Sequence, residues 1–571
     1  MKPHLTPIFL IFALLIAACS PGKGTLHIVT TGDVHGNWFD EPYVEGQARK
    51  TSLMSVYAWV DSLRRAVGKQ NVLLLDAGDC LQGDNAPYFF NYVDTEGEHM
   101  FVQLATYMGY DAVAVGNHDI ETGHKVYDKV AAQLEAHGIP FMGANALDNK
   151  TGSSYFTTYE VFQRGGFNVA VIGFTNPNIE AWLDEPIWEG IHFESLIPSV
   201  QSWVDRVREQ ENPDVVVVLT HSGTGDGDGS SLEAQGLDLL ESLHDVDVLV
   251  CSHDHRPIVK EKDGTWLING GARAGNVGHA VITKTKEGGK TIRAEYVRMD
   301  KSKVDKGMKA HFQQAYDMVK YFTLQPVGQL AMELRTRDAY RGMCDYVNLV
   351  HTVQLEGSGA DISFAAPLTF NGTVSAGQII YDDMFTIYPF ENQLYVLNMK
   401  GSEIKDYLEY SYDGWIQTPG QHVLKIEDEP DARTGAPKWS FSNRTYNFDS
   451  AAGLVYTVDV TRPAGKRVRI VSMADGTRFN PEAWYKVAMT SYRASGGGDL
   501  LIEGAGLDKD ELEARVLSRL PEIRRMIYQY FTQHETVDAA LVGNEAVLGS
   551  WRFVPEKTVG PLMEKDMDLI F

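Results

Sequence analysis

The chain has 571 residues, which is too long for one ordinary hydrophobic core, so we expect two domains and a leader. Its composition, 44% hydrophobic and 22% charged, is that of a folded globular protein, and its formal net charge is −25. A protein that binds duplex nucleic acid neutralises phosphates with Lys and Arg, so this acidity argues against a nucleic-acid polymer as partner. A small phosphorylated substrate stays compatible with the charge, because bound divalent ions reverse the local field.

The N-terminus predicts export. A short basic start precedes an apolar run from Ile8 to Ile16, and small residues follow it, which is typical of a secretory signal over residues 1–18. The run is too short to cross a bilayer as a helix. Ile16-Ala17-Ala18-Cys19 resembles a bacterial lipobox, which implies cleavage before Cys19, a lipid on its thiol and a tether over residues 19–24. We therefore expect an exported protein that touches a bacterial membrane only through this anchor.

Five apolar segments in the first half of the chain lead into polar residues. The segments are 26–31, 72–75, 112–115, 215–219 and 246–250. The polar residues that follow them and could bind a cation are Asp33, His35, Asp79, Asn117, His221, His253 and His255. Taken singly, each also fits a turn, a helix cap or a buried side chain. Taken together, in a repeat of strand, polar end and helix, they predict an α/β domain with a divalent-metal site at the carboxyl ends of its strands.

The spacing of these residues suggests how they share ions. In an extended segment, residues two apart point to the same side, so Asp33 and His35 suit two ligands on one ion. His253 and His255 are expected to point the same way for the same reason. Asp79 could bridge two cations because a carboxylate has two oxygens. Mixed nitrogen and oxygen ligands favour Zn, Mn, Fe or Co over Mg or Ca.

His118 follows Asn117 directly, so the two side chains are not expected to aim at the same point. His118 is therefore free for acid–base work. Glu121 could orient its ring if the segment is helical. Asp119 could do so instead, or it could cap the helix that follows.

These motifs resemble those of the calcineurin-type dinuclear metallophosphoesterases, and the long second half resembles the two-domain family of 5′-nucleotidases and 2′,3′-cyclic-nucleotide 2′-phosphodiesterases. The resemblance implies a layered β-sandwich flanked by helices at residues 25–300 and a linker helix at 301–325. It implies a C-terminal α+β domain at 326–540, followed by a tail at 541–571. The implied activity is hydrolysis of phosphoesters of a small-molecule nucleotide outside the cytoplasm.

The resemblance also implies roles for the site residues. His118 would stabilise the transition state or protonate the leaving oxygen, with Glu121 as its orienting acid; several relatives have Asp at that place, and some have Gln at the place of His255. Two divalent ions would be held by two overlapping sets of ligands. The sets are Asp33, His35, Asp79 and His255 for the first ion, and Asp79, Asn117, His221 and His253 for the second.

Two segments of the second half carry the substrate predictions. From the residues alone, Phe390 and Tyr492 could be core side chains, and the glycine run after Tyr492 could be a turn. The resemblance implies that Phe390 and Tyr492 sandwich a base, with Asn392 and Asp499 contacting base or ribose. Arg493 is a candidate phosphate or ribose contact, or else an exposed surface residue.

The chain also departs from the 5′-nucleotidase pattern. Many of those enzymes have a Gly-Gly-Gly-x-Arg element whose Arg holds phosphate, but residues 360–368 of this chain contain no Arg. Tyr-Arg-Ala before the glycines is closer to the cyclic-nucleotide branch. The alternatives are the same fold acting on UDP-sugars, sugar phosphates or thiosulfate-type esters, and a non-catalytic lipoprotein that binds nucleosides.

Overall fold

The structure is a computed structural model that describes residues 24–428 and 437–571. The predicted signal, Cys19 and all of the tether except Gly24 lie outside the described residues. Within the described part of the chain, no helix has both the length and the apolar character needed to cross a membrane.

The first domain is built on two six-stranded sheets packed face to face. In spatial order, the first sheet consists of Lys290–Arg298, Asn276–Lys284, Thr25–Thr31, Val72–Asp76, Ala112–Ala114 and Phe141–Met142. The second consists of Ile258–Lys262, Thr265–Asn269, Val248–Cys251, Val215–Thr220, Phe167–Phe174 and Tyr159–Arg164. The inner strands of each sheet run parallel, so their carboxyl ends meet along one edge.

Alternation along these strands explains the layers. Leu73 and Leu75 point into the core between the sheets, whereas Leu74 points outward into a second core that is covered by helices. Both faces are therefore buried, which is why the strands read as continuous apolar runs. The helices over the outer faces are Leu53–Val67, Met100–Met108, His124–Ala136, Leu196–Glu211 and Gly236–Ser242. The predicted layered β-sandwich flanked by helices is confirmed.

The connector after the first domain is two short helices, Lys306–His311 and Gln313–Thr323, where a single linker helix was predicted. Their apolar residues Met308, Phe312 and Val319 are buried in the core of the first domain. The connector is thus packed against that domain along its length.

The second domain has the predicted α+β organisation. Its main sheet consists, in spatial order, of Ser450–Ala452, Ile362–Ala365, Trp484–Thr490, Gln393–Lys400 and Val516–Glu522. A smaller sheet consists of Val468–Met473, Leu454–Asp459 and Gly549–Val554. The larger helices are Asp345–Ser358, Tyr381–Ile387, Gly401–Trp415, Ile523–Gln533 and Glu556–Ile570.

The segment predicted as a tail, residues 541–571, belongs to this second domain. Gly549–Val554 pairs in parallel with Leu454–Asp459, and the helix Glu556–Ile570 packs on the domain core. The buried carboxylate of Asp566 accepts the backbone N–H groups of Val423 and Leu424. The domain therefore runs to the end of the chain, and the predicted boundary at 540 has to be moved.

Candidate active site

Seven predicted donors come together where strands of both sheets end. The first sheet supplies Asp33, His35, Asp79 and Asn117, and the second supplies His221, His253 and His255. Six of these side chains form two groups, each with three ligand atoms that lie within 4.8 Å of one another. We name them the Asp33 group (Asp33, His35 and His255) and the Asp79 group (Asp79, His221 and His253).

The Asp33 group brings the Nε2 atoms of two imidazoles together, with the rings edge-on at 70°. The Nε2 atoms of His35 and His255 are 3.0 Å apart. The Oδ1 atom of Asp33 is 3.8 Å from the first of them and 3.6 Å from the second. Two imidazole nitrogens at this separation need a proton or a cation between them.

The Asp79 group adjoins the first one. The Oδ2 atom of Asp79 is 3.1 Å from His221 Nε2 and 4.0 Å from His35 Nε2, so this carboxylate lies between the two groups. Asn117 joins the second group, because its Oδ1 atom is 3.0 Å from Nδ1 of His253.

The charges and unpaired atoms of the site fit a divalent cation in each group. Asp33 Oδ1 and His221 Nε2 are buried and have no hydrogen-bond partner. His221 Nδ1 donates to the carbonyl of Ala77 at 2.7 Å, which leaves Nε2 aimed at the carboxylates. Burial lowers the pKa of His221, but Asp79 and Asp33 raise it to about 10, because the two carboxylates attract either a proton or a metal ion to Nε2. The mixed nitrogen and oxygen donors suit Zn, Mn, Fe or Co.

The backbone at the ligands is unusual. Asp33, His35, Asp79, His253 and His255 all have positive φ, between 45° and 70°. Such left-handed residues other than glycine cost free energy and cluster at functional sites. Contrary to the prediction, His253 and His255 do not point the same way from an extended segment. Their left-handed backbone sends them to different groups, as the family resemblance implies.

Asp119 fastens the loops that carry the ligands. Its carboxylate accepts the backbone N–H groups of Asp79, Cys80, Leu81 and Gly116. Asp119 thus caps the first turn of the helix in which it lies, Asn117–Glu121, and also holds the neighbouring loop. Neither role left open for it applies, because Glu121 orients His118 and the helix that follows begins after Gly123 without a side-chain cap.

His118 is held by Glu121. Its Nδ1 atom is hydrogen-bonded to Glu121 Oε2, and its backbone N–H donates to Asp79 Oδ1 at 2.8 Å. Burial lowers the pKa of His118, but Glu121 and Asp79 raise it to about 9. Because Nδ1 is occupied, Nε2 is the ring atom left for a ligand.

A cavity of about 430 Å³ lies between the two domains. The first domain lines it with residues from both groups and with the His118–Glu121 pair. The second domain lines the facing wall with Phe390, Asn392 and Tyr492. The predicted catalytic residues and three of the four predicted substrate contacts therefore share one space.

Two predicted substrate contacts are placed differently. Asp499 is exposed and lies outside the cavity wall, so this geometry gives no support to its contact with base or ribose. Arg493 lines the cavity, and it is not the exposed surface residue that was the alternative to a substrate contact. It is buried, pairs with Asp449 at 3.0 Å and donates to the carbonyl of Gly497 at 2.9 Å, which ties down the glycine turn.

Several lining residues had no signal in the sequence. Trp182 stacks on His253, with ring centroids 5.3 Å apart and 16° between the planes. Glu233 lies 3.8 Å from His253 Nε2, and Tyr446 contacts the Tyr492 ring edge-on at 6.4 Å. Trp182 ends the short helix Ile179–Trp182, Glu233 lies in a loop, and Tyr446 lies in a single 3-10 turn. Only the tertiary fold brings them to the cavity.

Comparisons with known proteins agree with this architecture. Residues 26–257 match the family model of the calcineurin-like phosphoesterases, and residues 326–502 match that of the 5′-nucleotidase C-terminal domain. The chain is 23% identical to the 2′,3′-cyclic-nucleotide 2′-phosphodiesterase/3′-nucleotidase of Salmonella typhimurium, over 96% of this chain and 91% of that protein. It is also 23% identical to the trifunctional nucleotide phosphoesterase protein YfkN of Bacillus subtilis, over 91% of this chain but only 39% of that longer protein.

Among solved structures, a candidate 5′-nucleotidase from Staphylococcus aureus aligns with a TM-score of 0.78 at 21% identity, covering 93% of this chain and 99% of that one. At this identity, the likeness concerns the fold. The two matched domains follow one another in the order predicted from the motifs, and the metal-binding groups lie in the first. The chain therefore belongs to the hydrolase family that joins a calcineurin-like metallophosphoesterase domain to a 5′-nucleotidase C-terminal domain.

Proposed function

We propose that this enzyme hydrolyses phosphoesters of small-molecule nucleotides, as a 5′-nucleotidase, a 2′,3′-cyclic-nucleotide 2′-phosphodiesterase/3′-nucleotidase, or both. One observation carries the proposal. A single cavity has metal-binding groups and His118 at one end, and the aromatic side chains of Phe390 and Tyr492 at the other. A nucleotide has the matching polarity, with a charged phosphate at one end and a flat base at the other.

The first domain supplies the groups for phosphate hydrolysis. The Asp33 group and the Asp79 group, with Asn117, would each hold one divalent ion. Two such ions acidify water and neutralise phosphate charge. His118 donates a proton from Nε2 to the ester oxygen that leaves, because Glu121 holds the ring by Nδ1. Asp79 fixes this arrangement by accepting the backbone N–H of His118.

The second domain supplies recognition. Phe390 and Tyr492 stack on the two faces of the base, and the Asn392 amide hydrogen-bonds to its edge. Stacking tolerates every base because each has a π-face, so these residues select nucleotides as a class. The cavity is also large enough for a mononucleotide, since pockets for molecules of this size range from about 300 to 1,000 Å³.

A substrate panel tests this function. The purified enzyme is assayed with Zn²⁺, Mn²⁺, Co²⁺ or Fe²⁺ on 5′-mononucleotides, 3′-mononucleotides, 2′,3′-cyclic nucleotides, UDP-sugars, sugar phosphates, a thiosulfate-type ester and p-nitrophenyl phosphate. We expect at least one nucleotide class to exceed the sugar phosphates in kcat/KM by about tenfold or more, because stacking of one base contributes about 1–3 kcal/mol. A higher kcat/KM for a sugar phosphate or a thiosulfate-type ester would contradict the proposal. Nucleoside binding without turnover under any metal would favour the non-catalytic lipoprotein.

We also propose that the enzyme works outside the cytoplasm, anchored by a lipid on Cys19. The support is the signal-like segment 1–18 and the lipobox-like residues before Cys19. When the whole sequence is expressed in bacteria, metabolic labelling with a palmitate analogue should label the protein. The Cys19→Ser variant should carry no label and should be absent from the membrane fraction. Label that persists in the variant would exclude this anchor.

A further inference from the structure

Glu391 lies in sequence between two predicted base contacts, Phe390 and Asn392. These two neighbours line the cavity, whereas Glu391 is 8% exposed and does not line it. Its carboxylate is directed at the boundary with the first domain. Tyr92 of that domain donates its hydroxyl to Glu391 Oε2 at 3.0 Å, joining residues 299 positions apart.

The other carboxylate oxygen of Glu391 is held within the second domain. Arg524, which is 1% exposed, donates from Nη2 to Glu391 Oε1 at 3.1 Å. The same guanidinium donates from Nη1 to the carbonyl of Pro389 at 3.0 Å. Both ends of the short segment 389–391 are thus fixed by one arginine.

Further contacts across the boundary surround this pair. The Arg524 guanidinium lies between the rings of Phe385, at 4.3 Å, and Tyr88 of the first domain, at 4.9 Å. Asp382 accepts side-chain N–H groups from Gln47 and Asn85, at 2.9 and 2.7 Å.

We propose that Tyr92, Glu391 and Arg524 form a cross-domain clamp that positions Phe390 and Asn392 for the base. Tyr92 and Arg524 do not touch substrate and act as positioning residues. The inference rests on the proposed nucleotide function and adds that base binding depends on how the second domain is docked on the first. The segment 389–392 faces the ligand on one side and the first domain on the other. A shift of the first domain relative to the second would therefore move Phe390 and Asn392 through the hydrogen bonds of Glu391.

The chemistry of the clamp explains why a carboxylate is needed. A hydroxyl and a guanidinium both donate, and only a carboxylate offers two acceptor oxygens without a donor of its own. Glutamine would turn an N–H₂ group toward one of the two donors. Because that change also removes the buried counter-charge of Arg524, it can destabilise the domain, whereas Tyr92→Phe deletes a single hydroxyl.

The test compares three variants: Tyr92→Phe, Glu391→Gln and the double variant. Tyr159→Phe is the matched control, because its hydroxyl also donates to a carboxylate, Glu211 at 2.8 Å, but within the first domain and away from the cavity. The measurement is kcat and KM for the best nucleotide and for p-nitrophenyl phosphate, which has no base. We expect Tyr92→Phe to raise the KM ratio of nucleotide to p-nitrophenyl phosphate about three- to tenfold, and Tyr159→Phe to leave it within twofold.

The double variant shows whether the two residues act together. If Tyr92 acts through Glu391, adding Tyr92→Phe to Glu391→Gln changes the KM ratio by less than twofold. An unchanged ratio in Tyr92→Phe, with nucleotides still hydrolysed, overturns the clamp and leaves the proposed function in place. A wild-type enzyme that hydrolyses p-nitrophenyl phosphate but no nucleotide overturns the proposed function and the clamp with it.

Discussion

At the scale of single residues, the proton transfer proposed for His118 does not depend on its binding a metal ion. Its side chain is held by Glu121 and belongs to neither metal-binding group. We predict that His118→Ala lowers kcat by about 10²–10⁴-fold, the usual contribution of general acid–base catalysis, and leaves the metal content per chain unchanged. Steady-state kinetics and elemental analysis of the same samples measure both.

His137→Ala is a matched control, because His137 also pairs with a glutamate, Glu98 at 2.6 Å, but on the surface. We expect this control to retain wild-type kcat. Full activity of His118→Ala on a nucleotide would show that the proton comes from another group.

Phe390 tests the stacking role at the same scale. We predict that Phe390→Ala raises KM for nucleotides about 5- to 150-fold, since stacking of one base contributes about 1–3 kcal/mol. The KM for p-nitrophenyl phosphate should shift little, because that ester has no base. A parallel rise for both esters would mean that Phe390 shapes the whole cavity instead of binding the base.

Some residues of the site can be predicted from the sequence pattern and others cannot. Asp33, Asp79 and His221 each lie two to four residues after an apolar run, so the strand pattern predicts where they lie. Trp182 and Glu233 cannot be predicted in this way, because a four-residue helix and a loop are too short or too irregular to show a periodic pattern. For Arg493, an exposed position and a buried pair with Asp449 give the same local sequence. Only tertiary contacts decide between them.

At the scale of elements, Gly116, the N-cap of the helix Asn117–Glu121, lets the start of this helix lie against the loop that carries Asp79. A Cβ atom on Gly116 would lie 2.1 Å from Asp79 Oδ1 and 2.4 Å from its backbone nitrogen, far inside van der Waals contact. We predict that Gly116→Ala displaces Asp79 and lowers both metal content and kcat by at least tenfold.

The control is Gly414→Ala, on the helix Gly401–Trp415, where a Cβ atom meets nothing within 4 Å. It should keep full activity and gain some stability, because alanine favours a helix by about 1 kcal/mol over glycine. A fully active Gly116→Ala would mean that the loops have room to separate.

Helices and strands could be predicted where a long apolar pattern exists, and not where they form only through contacts with residues far away in the chain. In the helix Leu53–Val67, for example, the apolar residues Leu53, Val56 and Val60 recur at helical spacing and are buried. By contrast, Gly549–Val554 is mixed in composition, and its pairing with Leu454–Asp459 spans nearly a hundred residues. A partner so distant leaves no local signal.

At the scale of the whole molecule, buried neutral histidines predict sensitivity to acid. Burial lowers the pKa of His351 and of His99 from the usual 6.5 to about 3 in the folded protein. The unfolded chain therefore binds more protons once the pH falls below about 6.5, and stability falls with it. His351 alone should cost about 2 kcal/mol between pH 7 and pH 5, at about 1.4 kcal/mol per unit.

Chemical denaturation at several pH values measures this slope. His351→Gln removes a titrating group while keeping donors and acceptors for Ser363, which lies 2.9 Å from His351 Nδ1. We expect the variant to be less sensitive to pH than the wild type. An equal slope in both proteins would mean that His351 does not control acid unfolding.

The sequence predicts the order of the two domains along the chain but not how they contact each other. The motifs place a metal-binding half before a base-binding half, and both matched family models follow that order. The cavity between the halves depends on contacts such as Tyr92 with Glu391, which no local pattern reveals.

The central claim is that seven donors from two sheets hold two divalent ions around Asp79. An anomalous-difference map from crystals of the mature two-domain enzyme grown with Mn²⁺ tests it most directly. We predict two peaks per chain, one among Asp33, His35 and His255, and one among Asp79, Asn117, His221 and His253. A map with no peak beside Asp79, or with ions bound only elsewhere, would contradict the account.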